Sequence, residues 1–301
     1  MKGCPLFALL SGKRLKQDAL SKCRRWPDGF FTVPDGTRLH YVEAGEGVPV
    51  VLIHGARGSA IGNWFSNGIA PKIAQTNHVY ALDMRGHGLS EGSSHGHVSM
   101  ADDVLAFMDQ MGIEKAHIGG YSMGGAITLQ LLIRAPERFI TACLQGAGLS
   151  ETKEWRGKVP HDKVGTDPDE ERANAQVQAR RAEKGQEVGN HFGDRMKQGR
   201  AAFGALAGMT TRKAMAEMQR RHDAQFAGLD LSTVKFPVMA INGEFDRPLA
   251  RTHRLWRELD DFTNLVLQGK SHLTAMMAGY IPQAYIDGYA AFIARNNPPG
   301  F

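Results

Sequence analysis

Cysteine is scarce in this chain: Cys4, Cys23 and Cys143 are all that occur in 301 residues, and they lie far apart. Three scattered cysteines make neither a disulfide framework nor a structural zinc site. Long apolar runs are also missing. No stretch reaches the 18 or more apolar residues that a membrane-spanning helix needs. No paired His/Cys spacing fits a metal, and basic patches interleaved with aromatics do not recur, so neither a metal nor a nucleic-acid partner is expected. Gly86-His87-Gly88 lacks the remaining glycines of a dinucleotide loop, and no cofactor is expected. What is present is 42% apolar and 22% charged residues over a length that suits one large domain, or one domain with an insertion.

The formal charge of +5 is unevenly spread. Residues 1–27 hold seven basic side chains and one acid, leaving residues 28–301 with 29 basic against 30 acidic side chains. The excess therefore belongs to a basic N-terminal arm, residues 1–28. Its apolar run, Leu6 to Leu10, is short and precedes the basic residues, the reverse of a secretory signal, so a cytoplasmic location is expected. The arm reads as a loosely packed terminus. Alternatively it is an interfacial helix touching a membrane surface or a partner through Leu6, Phe7, Leu10, Leu15 and Leu20.

From Gly29 onward, strand and helix alternate. Phe30–Val33 and Leu39–Val42 flank Pro34-Asp35-Gly36 as a hairpin. Val50–Ile53 is a continuous apolar run, as in a strand buried on both faces. A helical stretch from Trp64 to Ala74, restarting at Pro71, precedes a strand at Val79–Leu82. Ser99 is placed to cap a helix whose buried face is Val104, Leu105, Met108 and Met111. A strand at Ala116–Gly119, a helix over Met123–Arg134 and a strand at Phe139–Leu144 follow. After an interruption, strands resume at Pro237–Ile241 and Asn264–Leu267, with Pro248 starting a helix between them. Such crossover units imply an α/β fold with a mostly parallel sheet.

The interruption is residues 149–230, which carry 15 basic and 13 acidic side chains in 82 positions and no strand-like run. Asp167-Pro168-Asp169-Glu170-Glu171 starts a helix, and Thr211–His222 forms another. Large apolar residues are sparse, so the segment reads as a helical cap or lid inserted between two parts of the core, residues 29–148 and 231–301.

Chemistry gathers at the strand ends. Gly120-Tyr121-Ser122-Met123-Gly124 follows a buried strand and opens a helix, the setting in which a tight turn lifts a serine hydroxyl above the sheet. With His54-Gly55, Asp83-Met84-Arg85-Gly86-His87-Gly88-Leu89-Ser90, Asn242-Gly243-Glu244-Phe245-Asp246 and Gly269-Lys270-Ser271-His272, the chain resembles the α/β-hydrolase superfamily. The resemblance covers the core and leaves 149–230 unmatched. It implies a Ser-His-Asp mechanism, since serine needs a base and the base an orienting acid. Ser122 is the implied nucleophile. His272 is the best-placed base, with His117 and His222 as alternatives. Asp246 is the best-placed acid; Glu244 is its rival, while Asp83 and His54 read as structural.

The same resemblance implies an oxyanion hole of the Ala56 and Met123 backbone N–H groups, although the loop could instead present the N–H of Arg57. The Arg57 side chain either meets a substrate carboxylate or faces solvent. Trp64, Tyr121, Phe245 and Met276 or Met277 are candidate pocket walls or core residues. Ser122 argues against the dehalogenases and epoxide hydrolases of this fold, which use an aspartate nucleophile. A small-molecule ester is the expected substrate, because ester hydrolysis requires nothing beyond the triad and the hole. The alternative is carbon–carbon hydrolysis of ring-fission products, loosely echoed by Gly62-Asn63-Trp64; a non-catalytic binding role is the third reading. The oligomeric state is not legible.

Overall fold

A computed structural model of the chain describes residues 26–92, 97–160, 162, 226 and 229–299. Its sheet has eight strands: β1 Asp28–Thr32, β2 Arg38–Ala44, β3 Pro49–Ile53, β4 His78–Asp83, β5 Ala116–Tyr121, β6 Phe139–Gln145, β7 Val238–Gly243 and β8 Phe262–Leu267. Their spatial order is β1-β2-β4-β3-β5-β6-β7-β8. The β1–β2 and β2–β4 pairings are antiparallel and all others parallel. The helices are α1 Ile69–Ile73, α2 His97–Gln110, α3 Met123–Arg134, α4 Pro248–Glu258 and α5 Gln283–Arg295. This is the mostly parallel α/β architecture expected.

Strand β3 shows why a continuous apolar run appears in the sequence. Val51 and Ile53 join one core layer with Phe107 and Met108 of α2 and Ile127 and Leu131 of α3. Val50 and Leu52 join the opposite layer with Ile69 and Ile73 of α1 and Tyr285, Tyr289 and Phe292 of α5. Both faces of the strand are covered, so no position alternates to polar. The chain runs from β3 to β4 on one side and returns to β5 on the other. The loops after β3 and β5 therefore diverge and leave a crevice at their carboxyl ends, where ligands sit in open α/β sheets.

Local details differ from expectation in three places. The stretch ahead of β4 is not one helix restarting at Pro71. It is a wide turn, Ile61–Phe65, then α1 after Gly68 at φ 91°. Pro71 falls in the first turn of α1, where a missing N–H costs no intrahelical bond. Ser99 is not a cap, because α2 begins at His97. Helix α5 has no counterpart among the expectations, although Tyr285, Tyr289, Phe292 and Ile293 recur at helical spacing and are buried. The helices expected from Asp167 and over Thr211–His222, and nearly all of the N-terminal arm, lie outside the described residues.

His117 of β5 is buried between Thr141 and Asn297. Its Nε2–H donates to Asn297 Oδ1 at 2.9 Å, and its Nδ1 accepts from the Thr141 hydroxyl at 2.8 Å. Burial pushes its pKa from 6.5 down to about 4, against the smaller opposing effect of the Asn297 bond. The unfolded chain thus binds a proton that the folded one refuses, so stability is full above pH 6.5 and declines toward pH 4. Across that window His117 contributes a loss of about 3 kcal/mol. Denaturant titrations of wild type and His117→Gln from pH 7 to 4 should show a shallower decline in the variant.

Candidate active site

Strand β5 passes into α3 through a single residue, Ser122, at φ 54° and ψ −107°. A non-glycine residue held there carries about 1–3 kcal/mol of strain. The flanking glycines are required by close approach. A Cβ on Gly120 would stand 2.1 Å from the Gly124 carbonyl oxygen, and one on Gly124 would stand 2.1 Å from the Ile53 carbonyl oxygen of β3. Helix α3 thus packs its first turn directly on the β3 backbone, and the Ser122 N–H donates to the Gln145 carbonyl of β6 at 2.8 Å.

The serine hydroxyl meets a histidine. Ser122 Oγ–H donates to His272 Nε2 at 3.0 Å, and His272 Nδ1–H donates to Asp246 Oδ2 at 2.7 Å. The proton placement follows from Asp246 being an acceptor, which leaves Nε2 free to accept. Asp246 is buried, whereas Ser122 and His272 are half-buried and reachable. His272 is fixed by Tyr121, whose hydroxyl donates to the His272 carbonyl at 2.6 Å and whose ring stacks on the imidazole at 5.1 Å.

The rivals have other employment. Glu244 Oε2 accepts from the Gly269 N–H at 2.9 Å, bracing the turn that leads to His272. His117 is spent on Thr141 and Asn297, and His222 lies outside the described residues. His54 is enclosed. Its Nδ1–H donates to the Gly55 carbonyl at 2.7 Å, its Nε2 accepts from the Met84 N–H at 3.0 Å, and burial pushes its pKa down. Asp83 accepts from Ala60 N–H, Leu89 N–H and His40, which ties the loops after β3 and β4 together.

The loop after β3 makes a tight turn in which the Gly58 N–H donates to the Gly55 carbonyl at 2.9 Å, with Arg57 left-handed at φ 63°. Ala56 and Arg57 stand exposed at its tip. The Gly55 N–H is occupied by Asn63 Oδ1 at 3.0 Å. Among the described residues, neither Ala56 N–H nor Met123 N–H donates to a backbone carbonyl.

Two expected pocket contacts need correction. Trp64 has no exposed surface and packs among Val50, Leu52 and Tyr285, because the turn at Ile61–Phe65 points it into the core. Tyr121 is buried and its hydroxyl is committed to His272. Met276 is likewise buried, while Phe245 and Met277 are half-buried. Sequence reasoning missed Asn63 as the brace of the Gly55 turn and Arg251, which contacts Asp246. Among the described residues no group of His, Cys, Asp and Glu could hold a metal ion, and no helix is long and apolar enough to cross a membrane.

A family model for the alpha/beta hydrolase fold matches residues 48–257. The dihydrolipoyllysine-residue acetyltransferase component of the acetoin cleaving system of Cupriavidus necator is 41% identical over 117 residues, 38% of this chain and 30% of that protein. The 2-hydroxy-6-oxo-6-phenylhexa-2,4-dienoate hydrolase of Comamonas testosteroni is 38% identical over 116 residues, 36% of this chain and 40% of that protein. The matched stretch thus spans well under half the length of either relative. In fold, the chain resembles a meta-cleavage product hydrolase from Pseudomonas fluorescens IP01, with a TM-score of 0.60 at 23% identity over 89% of this chain and 96% of that one.

Asn63→Ala removes the acceptor of a buried N–H at Gly55. An unsatisfied donor there should lower stability by about 1–2 kcal/mol, measured by denaturant unfolding.

Proposed function

The chain belongs to the alpha/beta hydrolase fold family, and from that premise we propose that it is a serine hydrolase that cleaves carboxylic esters through an acyl-enzyme. The observation that carries this reading is the hydrogen-bonded line from the strained Ser122 through His272 to buried Asp246. Serine hydroxyls are weak nucleophiles at neutral pH; a base within 3.0 Å, itself oriented by a carboxylate, is what activates them.

In the proposed reaction Ser122 Oγ attacks the ester carbonyl carbon while its proton passes to His272 Nε2. Asp246 stabilises the imidazolium so formed. The carbonyl oxygen becomes an oxyanion that accepts from Ala56 N–H and Met123 N–H, the latter at the N-terminus of α3. Collapse breaks the carbon–oxygen bond to the leaving alcohol, which takes the proton from His272. Water then adds to the acyl-enzyme, giving its proton to His272, and collapse returns that proton to Ser122 Oγ with release of the acid. Exposed Arg57 and half-buried Phe245 are the proposed substrate contacts that survive from the sequence. Residues 149–230 are the proposed lid and residues 1–27 the proposed membrane-surface contact of a cytoplasmic enzyme.

A second reading is carbon–carbon hydrolysis of a ring-fission product. The Comamonas testosteroni relative, named for a 2-hydroxy-6-oxo-dienoate, supports it. The same serine, base and hole would serve, with an enolate carbon in place of the alkoxide as leaving group.

A fluorophosphonate probe should add covalently to Ser122, seen as a mass shift on the peptide that carries it, and the label should vanish in Ser122→Ala. Unlabelled wild type would refute the serine mechanism. His272→Ala should lower kcat by about 10³-fold or more. Turnover of a p-nitrophenyl ester chain-length series beside a 2-hydroxy-6-oxo-dienoate separates the two readings: esters processed with far higher kcat/KM support the first, and the dienoate the second.

A further inference from the structure

Arg251, at the fourth position of α4, stands behind the acid. Its Nη1 donates to Asp246 Oδ2 at 3.2 Å, and its Nη2 pairs with Asp246 Oδ1 at 3.1 Å. The same Nη1 donates to the Gly146 carbonyl. Gly146, at φ 58°, is the backbone against which the imidazole rests: a Cβ there would stand 2.9 Å from His272 Cε1. One guanidinium therefore grips both the carboxylate that orients His272 and the main chain beneath its ring. The main chain of Arg251 belongs to the same knot, because its carbonyl accepts from the Leu149 N–H at 2.8 Å.

We propose that Arg251 is a positioning residue of the reaction, which locks the Asp246 carboxylate toward His272 and, by its charge, weakens that carboxylate's hold on the imidazolium. The proposal rests on the serine-hydrolase reading. Ser122 and Asp246 bond to the His272 ring and Tyr121 stacks on it, and Asp246 is shared between His272 and Arg251. Two consequences of the guanidinium act in one direction. It repels a proton on the nearby imidazole, and it draws electron density from the carboxylate that would stabilise that proton. The acid limb of kcat/KM is therefore the readout that depends on the Arg251 charge.

The test is the pH profile of kcat/KM on a neutral p-nitrophenyl ester for wild type, Arg251→Met and Arg251→Lys. Folding is checked by thermal melts, and fluorophosphonate labelling is run in parallel. Removing the charge should move the acid limb up by about 0.5–1 pH unit. Arg251→Lys, which keeps the charge and loses the fork, should leave the limb near its wild-type position while lowering kcat. Should Arg251→Met fail to fold, Arg251→Gln, an uncharged side chain that retains a donor, must show the same upward shift. Loss of kcat/KM by an equal factor at every pH, with an unmoved limb, would overturn the proposal. Failure of wild type to label would overturn the serine mechanism instead, so the two failures are distinct.

Discussion

The turn at Ser122 is the constraint on which the site depends, and it is enforced by backbone contact. Strand β5 reaches its last residue and α3 begins at once, leaving no loop to absorb the change of direction. A left-handed serine persists only where its surroundings leave no alternative. Here α3 lies so close to β3 that Gly124 touches the Ile53 carbonyl, and so close to its own strand that Gly120 touches Gly124. The Gly124 contact follows from β3 and β5 being neighbours, and the Gly120 contact from the tightness of the turn itself. That adjacency arises because the chain reverses its direction of progress across the sheet between them. One topological fact therefore separates the loops after β3 and β5 and sets α3 against β3 at the strained serine. The two apolar layers packed on β3 and β5 offset the local cost.

The histidine and the acid come from the loops after β8 and β7, toward the other edge of the sheet. Their convergence on Ser122 depends on cross-bracing. Glu244 N–H donates to the Leu267 carbonyl and Phe245 N–H to the Lys270 carbonyl, both at 2.9 Å, lacing the two loops together. The Glu244 carboxylate adds a bond to the Gly269 N–H. Tyr121 then ties the His272 main chain back to β5. The residue immediately before the serine thus fixes the segment that carries His272, which commits the Tyr121 hydroxyl.

What was legible in the sequence divides along the range of the interactions. Strands buried on both faces, the Gly-x-Ser-x-Gly turn and the acid beyond β7 are written in short segments, because backbone geometry fixes local residue types. The cross-bracing is not written there. Asn63 reaches back eight residues to Gly55, and Tyr121 reaches 151 residues to His272; both are ordinary polar side chains until the fold places them. Trp64 shows the converse error. An aromatic beside a loop suits a pocket wall as well as a core, and the wide turn at Ile61–Phe65 buries this one. Helix α5 shows a plain periodicity of Tyr285, Tyr289, Phe292 and Ile293, but it lies beyond the last motif and bears no reactive group.

Helix α4 carries the same lesson furthest. Its arginines at 251, 254 and 257 are each committed to a specific partner. Arg251 holds Asp246 and Gly146. Arg254 is buried and donates to the Leu229 carbonyl at 2.8 Å, and Arg257 pairs with Glu151 at 2.9 Å. Glu151 also accepts from His253. Burial alone would raise the Glu151 pKa, but the bonds to His253 and Arg257 hold it below its ordinary value. Asp162 caps the helix by accepting from the Leu249 N–H at 2.8 Å, a favourable place for a carboxylate at the positive end of a helix. The described residues from both ends of the 149–230 segment are therefore fastened to the helix that starts two residues after the acid. A charged helix face is here the junction between the described ends of the 149–230 segment and Asp246.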